Sequence, residues 1–218
     1  MRRLVSIPWS TSFGSLFVLL TTIGLIGNTI VIIAIAGDKK MRKSVMNMLL
    51  LNLAVADALN LITTTVEWTH TIVLGYPAWV FPSMLCPLAR YLECVFLFTS
   101  ILTQLTVCVE RYIAIVYPIH ARRLCSRANI LLIICTIWSF VFILALPYAL
   151  FHEKRQSSRV CGNPYSTTNF WMTYKWVEFF SFFFVPCIIL CYSILKFPVF
   201  SGPKTSSYMK NTHSPPAN

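Results

Sequence analysis

The chain has 218 residues, of which 56% are apolar and 11% charged, with a net charge of +11 at pH 7; its mean hydropathy is +0.68. A soluble domain carries about a quarter charged residues, so these values exclude an ordinary water-soluble fold and leave a membrane protein. The positive charge does not read as nucleic-acid binding, because the Lys and Arg residues are scattered between apolar runs rather than gathered on one face.

Five apolar stretches follow one another along the chain, at 12–36, 45–74, 86–116, 128–151 and 176–197. Each reaches the roughly 20 residues that a helix needs to cross hydrocarbon. The runs are continuous rather than alternating, which predicts helices and excludes a β-barrel. The predicted fold is an all-α membrane bundle of five transmembrane helices over 1–197, with a polar, disordered cytoplasmic tail at 198–218. Arg2 and Arg3 precede no small-residue cleavage pattern, so the first span reads as a retained helix rather than a signal peptide.

Loop charge sets the expected orientation. The first connection, 37–44, holds Lys39, Lys40, Arg42 and Lys43, whereas the second, 75–85, has neither Lys nor Arg. The positive-inside rule then places the first connection in the cytoplasm. Arg122, Arg123 and Arg127 in the third connection agree, as do Lys196, Lys204 and Lys210 near the end. Lys154, Arg155 and Arg159 in the fourth, with Arg2 and Arg3, run against it. The expectation is a multi-pass plasma-membrane protein with its N-terminus outside and its C-terminus inside.

Of eight cysteines, Cys94, Cys108, Cys135, Cys187 and Cys191 fall within spans and read as small buried hydrophobes, while Cys125 lies in a cytoplasmic loop and stays reduced. Cys86 and Cys161 both face the oxidising side. A disulfide between them is the expectation and two free thiols the alternative.

Asn28, Asn52, Asp57, Asn60, Ser100, Thr103 and Gln104 interrupt apolar runs and are expected to turn inward. Asp57 at mid-span needs hydration, protonation, a hydrogen bond or a cation. A hydrated sodium site at Asp57 and an ion-free packing network of Asn28, Asp57 and Ser100 both meet that need. No other cofactor or metal is implied. Glu93, with Arg90 and Leu97 around it, stands at the depth of a ligand carboxylate; the alternative pairs Glu93 with Arg90 at i,i+3 spacing. Glu67 and Glu178 are weaker candidates of the same kind, and Trp68, Trp79, Trp171 and Trp176 read as interfacial belt aromatics. No paired catalytic acids or metal-ligand cluster point to an enzyme.

The third span ends in Glu110-Arg111-Tyr112, an acid and an arginine where a helix should meet water. With Gly27-Asn28, Leu53-Ala54-Val55-Ala56-Asp57, Trp79 with Phe81, Cys86 with Cys161, Trp138 and Pro186, all in order, the chain resembles a rhodopsin-like (class A) G-protein-coupled receptor. The resemblance implies that Glu110 holds Arg111 at rest, that Arg111 with Tyr112, Pro118 and Ile119 engages a heterotrimeric G protein, and that Asp57 and Ser100 share a sodium site. Glu93 stands where aminergic receptors carry an Asp, but the fifth helix lacks their serines, which favours a peptide ligand. The run 110–125 is similar to the ghrelin, neuromedin U and thyrotropin-releasing-hormone receptor branch.

No apolar span follows Phe197, so relative to that family the sequence reads as truncated after its fifth helix. Two functions are therefore expected: a neuropeptide receptor signalling to a G protein, or a signalling-incompetent fragment that associates with and regulates a full-length receptor. The partners implied are an extracellular peptide, a G protein, a receptor dimer partner and membrane lipids.

Overall fold

The computed structural model describes residues 7–74, 79–155 and 160–200. Arg2, Arg3, Arg159, Lys204, Lys210 and the tail from 201 onward lie outside the described residues. Helix α1 spans Ile7–Gly37 and is joined by a 3-10 turn, Met41–Lys43, to α2, Val45–Leu74. Then come α3, Leu85–Val116, and a short α4, Pro118–Leu124. Helix α5, Arg127–Leu144, continues after a break at Ala145 into α6, Leu146–Phe151. A two-stranded hairpin, β1 Glu153–Arg155 and β2 Val160–Gly162, leads to α7, Asn169–Phe179, a π-turn at Phe180–Phe184, and α8, Val185–Phe200.

Five of these helical stretches are long and apolar enough to cross a membrane: Thr11–Gly37, Val45–Thr69, Leu85–Val116, Arg127–Phe151 and Asn169–Tyr192. A helix satisfies its own backbone groups, the condition hydrocarbon imposes on a spanning segment. Large apolar side chains such as Leu19, Ile23, Ile33, Leu132, Ile143 and Phe183 are exposed, as expected where lipid replaces water. The buried core is correspondingly narrow.

Helix α3 runs through the middle, touching α2, α4, α5, α6, α8 and β1. Val95, Phe98, Thr99 and Thr103 on it are almost completely buried. Helices α1 and α2 pack closely because Gly24 carries no side chain; a Cβ there would come within 2.8 Å of Leu61 Cδ1. Asn52 joins three helices: its Nδ2 donates to Thr103 Oγ1 at 2.8 Å and its Oδ1 accepts from Trp138 Nε1 at 2.9 Å.

Local sequence fixes the breaks. Ser126 caps α5, accepting from the Asn129 N–H at 3.3 Å. Thr168 does the same for α7 through the Trp171 N–H at 3.4 Å. That cap starts the fifth span seven residues before the expected Trp176, the main departure from the sequence-based boundaries. Pro186 supplies no N–H to the carbonyl of Phe182 and its ring crowds that turn, so the helix widens there into the π-turn.

Candidate functional site

One end of the bundle is closed by the Cys86–Cys161 disulfide, which ties the first turn of α3 to β2. In the hairpin Lys154 pairs with Cys161 in antiparallel register. Trp79 is buried against both cysteines, donating Nε1 to the Pro82 carbonyl at 3.2 Å and meeting Phe81 edge-on at 5.4 Å. Lys154 Nζ reaches the Phe81 carbonyl at 3.4 Å, fastening the hairpin to the loop before α3.

Beneath this lid lies a charged node shared by α2 and α3. Arg90 Nη2 is 2.6 Å from Glu67 Oε1, and Nη1 is 3.2 Å from Glu93 Oε2. Glu93 Oε1 accepts from Trp68 Nε1 at 3.2 Å, and the Arg90 guanidinium lies 4.9 Å above the Trp68 ring. A cavity of about 200 Å³ is walled by Glu67, Trp68, Thr71, Trp79 and Arg90 with Cys161 above. Two carboxylates against one guanidinium leave the node with a formal excess of one negative charge. Both Glu93 oxygens thus have partners within the fold, Oε2 with Arg90 and Oε1 with Trp68.

A second node stands across α3, where α6 meets α7. Lys175 Nζ lies 3.0 Å from Glu178 Oε2 and also donates to Tyr148 Oη, while Tyr148 donates to Glu178 Oε2 at 2.5 Å. Trp171, Tyr174 and Phe182 pack around Tyr148 and Phe98. His152, just past α6, stacks on Tyr148 at 5.5 Å. Its Nδ1 is 3.0 Å from the Tyr148 carbonyl, which only accepts, so Nδ1 bears the proton and Nε2 is the acceptor. Burial, with the Arg90 and Lys175 charges, pushes the His152 imidazole down to about 4.

At mid-depth Ser100 donates to Asp57 Oδ1, linking α3 to α2. Asn28 does not join them: its Nδ2 returns to the Gly24 carbonyl of its own helix at 2.9 Å. At the opposite end of α3, Arg111 Nε lies 3.6 Å from Glu110 Oε2, with the Arg111 side chain 53% exposed and that of Glu110 11%. Tyr112 meets Tyr117 edge-on at 6.4 Å. Pro118 opens α4, where its missing N–H costs nothing, and Ile119 is 84% exposed. Burial and the Glu110 charge push the Cys125 thiol up, consistent with an unreactive thiol.

Several expectations are corrected. Leu97, seven residues from Arg90 and so on the same helical face, is exposed, and it is the neighbouring Phe98 that is buried. Gln104 is exposed as well. Trp79 and Trp171 are core residues and Trp68 is half-buried, leaving only Trp176 of the four exposed as a belt residue should be. Among the span cysteines Cys94 is buried, but Cys135, Cys187 and Cys191 are exposed, since a thiol is apolar enough for lipid.

Sequence reasoning missed Tyr148, His152 and Lys175. The signal was present in Trp171-x3-Lys175-x2-Glu178, one face of a helix. Placing the helix start at Trp176 cut that pattern in two.

The family model for the seven-transmembrane receptor (rhodopsin family) matches residues 27–198. The chain is 52% identical to Neuropeptide receptor 15 of Caenorhabditis elegans over 188 residues, covering 80% of this chain and 54% of that receptor. It is 34% identical to somatostatin receptor type 5 of Rattus norvegicus over 67% of this chain and 40% of that receptor. Against the allatostatin-A receptor of Bombyx mori it is 34% identical, covering 62% and 37% respectively. The chain thus spans about half the length, or less, of these relatives.

Proposed function

The chain belongs to the rhodopsin family of seven-transmembrane receptors, and on that premise we propose that it is a plasma-membrane receptor for a neuropeptide, passing ligand binding to a heterotrimeric G protein. The observation that carries this reading is the course of α3. One helix holds Arg90 and Glu93 beneath the disulfide lid and Glu110 and Arg111 at its other end. The lid, the hairpin and the two charged nodes offer polar and aromatic groups suited to a peptide, whose backbone and side chains bring both hydrogen-bonding and apolar groups. The exposed Arg111 and Ile119 offer a cation and an apolar anchor to a partner on the opposite side.

In this reading the disulfide end faces outward and the basic 37–44 connection faces the cytoplasm. A ligand that prefers one arrangement of the α2, α3 and α7 nodes shifts the population of α3 positions, and Arg111 reports the shift. The relatives named for neuropeptides, somatostatin and allatostatin support a peptide over a small amine. No step passes through a sodium ion: Asp57 and Ser100 supply two oxygens, and Asn28 is turned to its own helix.

The test is expression of the chain in cells exposed to a panel of synthetic neuropeptides, read by calcium and cAMP. A saturable response to one peptide, abolished by Arg111→Ala at equal surface expression, is expected. A response that survives Arg111→Ala, or no saturable peptide binding across the panel, overturns the proposal.

A further inference from the structure

Lys175 occupies surroundings built for an ammonium group. Its Nζ lies 3.1 Å from Glu178 Oε1 and 3.0 Å from Oε2, and it also donates to Tyr148 Oη. Tyr148 spends its own proton on Glu178 Oε2, at 2.5 Å, which leaves the phenol oxygen free to accept. The donors of one ammonium therefore meet a full set of acceptors. The same Nζ is 4.5 Å from the Tyr148 ring centroid and 5.7 Å from that of Trp171, inside the roughly 6 Å reach of a cation–π contact.

The walls are held by contacts in which Lys175 takes no part. Trp171 is 6% exposed and meets Tyr148 edge-on at 5.5 Å. Its N–H is fixed by the Thr168 cap, and Tyr174 beside it donates to the Leu144 carbonyl at 3.0 Å. The Lys175 side chain is different: it is 43% exposed and reaches Glu178 from one turn away on the same helix. An open cavity of about 500 Å³, bounded by Ser166, Met172, Trp176 and Phe179, adjoins Lys175 and Trp171 and has room for the lysine stem.

We propose that Tyr148, Trp171 and Glu178 form a recognition cage for a primary ammonium group of the ligand, and that Lys175 is a tethered stand-in which the ligand displaces. The ligand class rests on the peptide-receptor reading above; the cage rests on its own geometry. Acceptors converging on one nitrogen fit an ammonium, whose donors radiate from a point, and not a guanidinium, whose donors are spread in a planar fork. Exchange also conserves charge, so Glu178 is paired before and after and no carboxylate is stranded. A short tether gives Lys175 an effective concentration in the millimolar range. The apparent affinity for an incoming ammonium is then reduced by the fraction of molecules in which the cage is open.

Thermal unfolding of the purified full chain in detergent, with n-butylammonium chloride as probe and n-butanol as its neutral counterpart, tests the cage. Lys175→Met keeps an apolar stem over the rings and removes the competing charge. This variant is expected to bind butylammonium at least about tenfold more tightly than the unaltered chain, with no such gain for butanol. Adding Glu178→Gln should abolish the gain. Nα-acetyl-lysine amide and alanine amide then separate a side-chain ammonium from an N-terminal one. Equal or weaker probe binding in Lys175→Met makes Lys175 part of the site rather than its occupant and overturns the proposal. Should Lys175→Met not fold, Lys175→Gln serves with the same two outcomes. A cage that binds the probe in a chain unresponsive to every peptide would sink the receptor reading alone, whereas a peptide response with no probe gain would sink only the cage.

Discussion

Replacing Arg90 by methionine should destabilise the protein markedly. The guanidinium is the counter-ion of both Glu67, whose side chain is 4% exposed, and Glu93, at 19%. Methionine has similar length and no charge, so the change leaves two carboxylates facing each other in a partly buried site. Breaking a buried pair by removing one partner costs about 3–5 kcal/mol. The 20% exposure of Arg90 admits some water to the site and favours the lower end, about 3 kcal/mol. At roughly 2–4 °C per kcal/mol for a chain of this size, the unfolding temperature should fall by about 6–12 °C. Scanning fluorimetry of the purified chain measures it. Glu67→Gln made together with Arg90→Met removes the stranded charge on α2 and should recover a good part of the loss, a coupling that a double-mutant cycle isolates. An Arg90→Met protein that unfolds within about a degree of the unaltered chain, or strict additivity of the two changes, would refute the assignment of Arg90 as the shared counter-ion.

Two further outcomes are expected. Asn52→Ala strands the Trp138 indole N–H and removes the donor to Thr103 Oγ1, which still donates to the Thr99 carbonyl; at about 0.6 and at most about 1.7 kcal/mol per interhelical hydrogen bond in a membrane, unfolding measurements should show a loss of about 1–3 kcal/mol, and an unchanged unfolding temperature would discount the node. His152, held down to about 4 in the fold, binds its proton in the unfolded chain near the ordinary value of about 6.5. Between these values the unfolded state carries more protons, so stability rises with pH over that window, is full above it, and is lost as pH falls toward 4. His152→Gln should flatten this part of the stability profile, and identical slopes for the two proteins would contradict the buried neutral imidazole.

Much of the fold was legible in composition and run length. An apolar run of the right length has one structure available in hydrocarbon, so the five spans could be placed from sequence with errors confined to their ends. The largest of those errors, at the fifth span, arose because Lys175 and Glu178 lower local hydropathy, whereas the Thr168 cap, which sets the start of α7, carries no hydropathy signal. The Cys86–Cys161 bridge was legible too, since two cysteines on one side of a membrane leave few partners. Leu97 shows the limit of reading a site by position along a helix: it shares the face of Arg90, yet it is exposed while Phe98 beside it is buried.

By itself, then, the sequence determined the spans and the motif that ties the chain to its family, because each depends on local periodicity or on spacing within one segment, and the lid, because two cysteines fall on one side of the membrane. The tertiary structure alone decided how the charges are shared. Arg90 could have served Glu93 only, yet it reaches across to Glu67 on α2. Glu178, one acid among several in the sequence, is enclosed with Lys175 by Tyr148 from another helix. Helical periodicity says which residues share a face and not which helix that face meets. In a low-dielectric interior the choice of partner decides whether an acid is open to a ligand or already engaged within the fold.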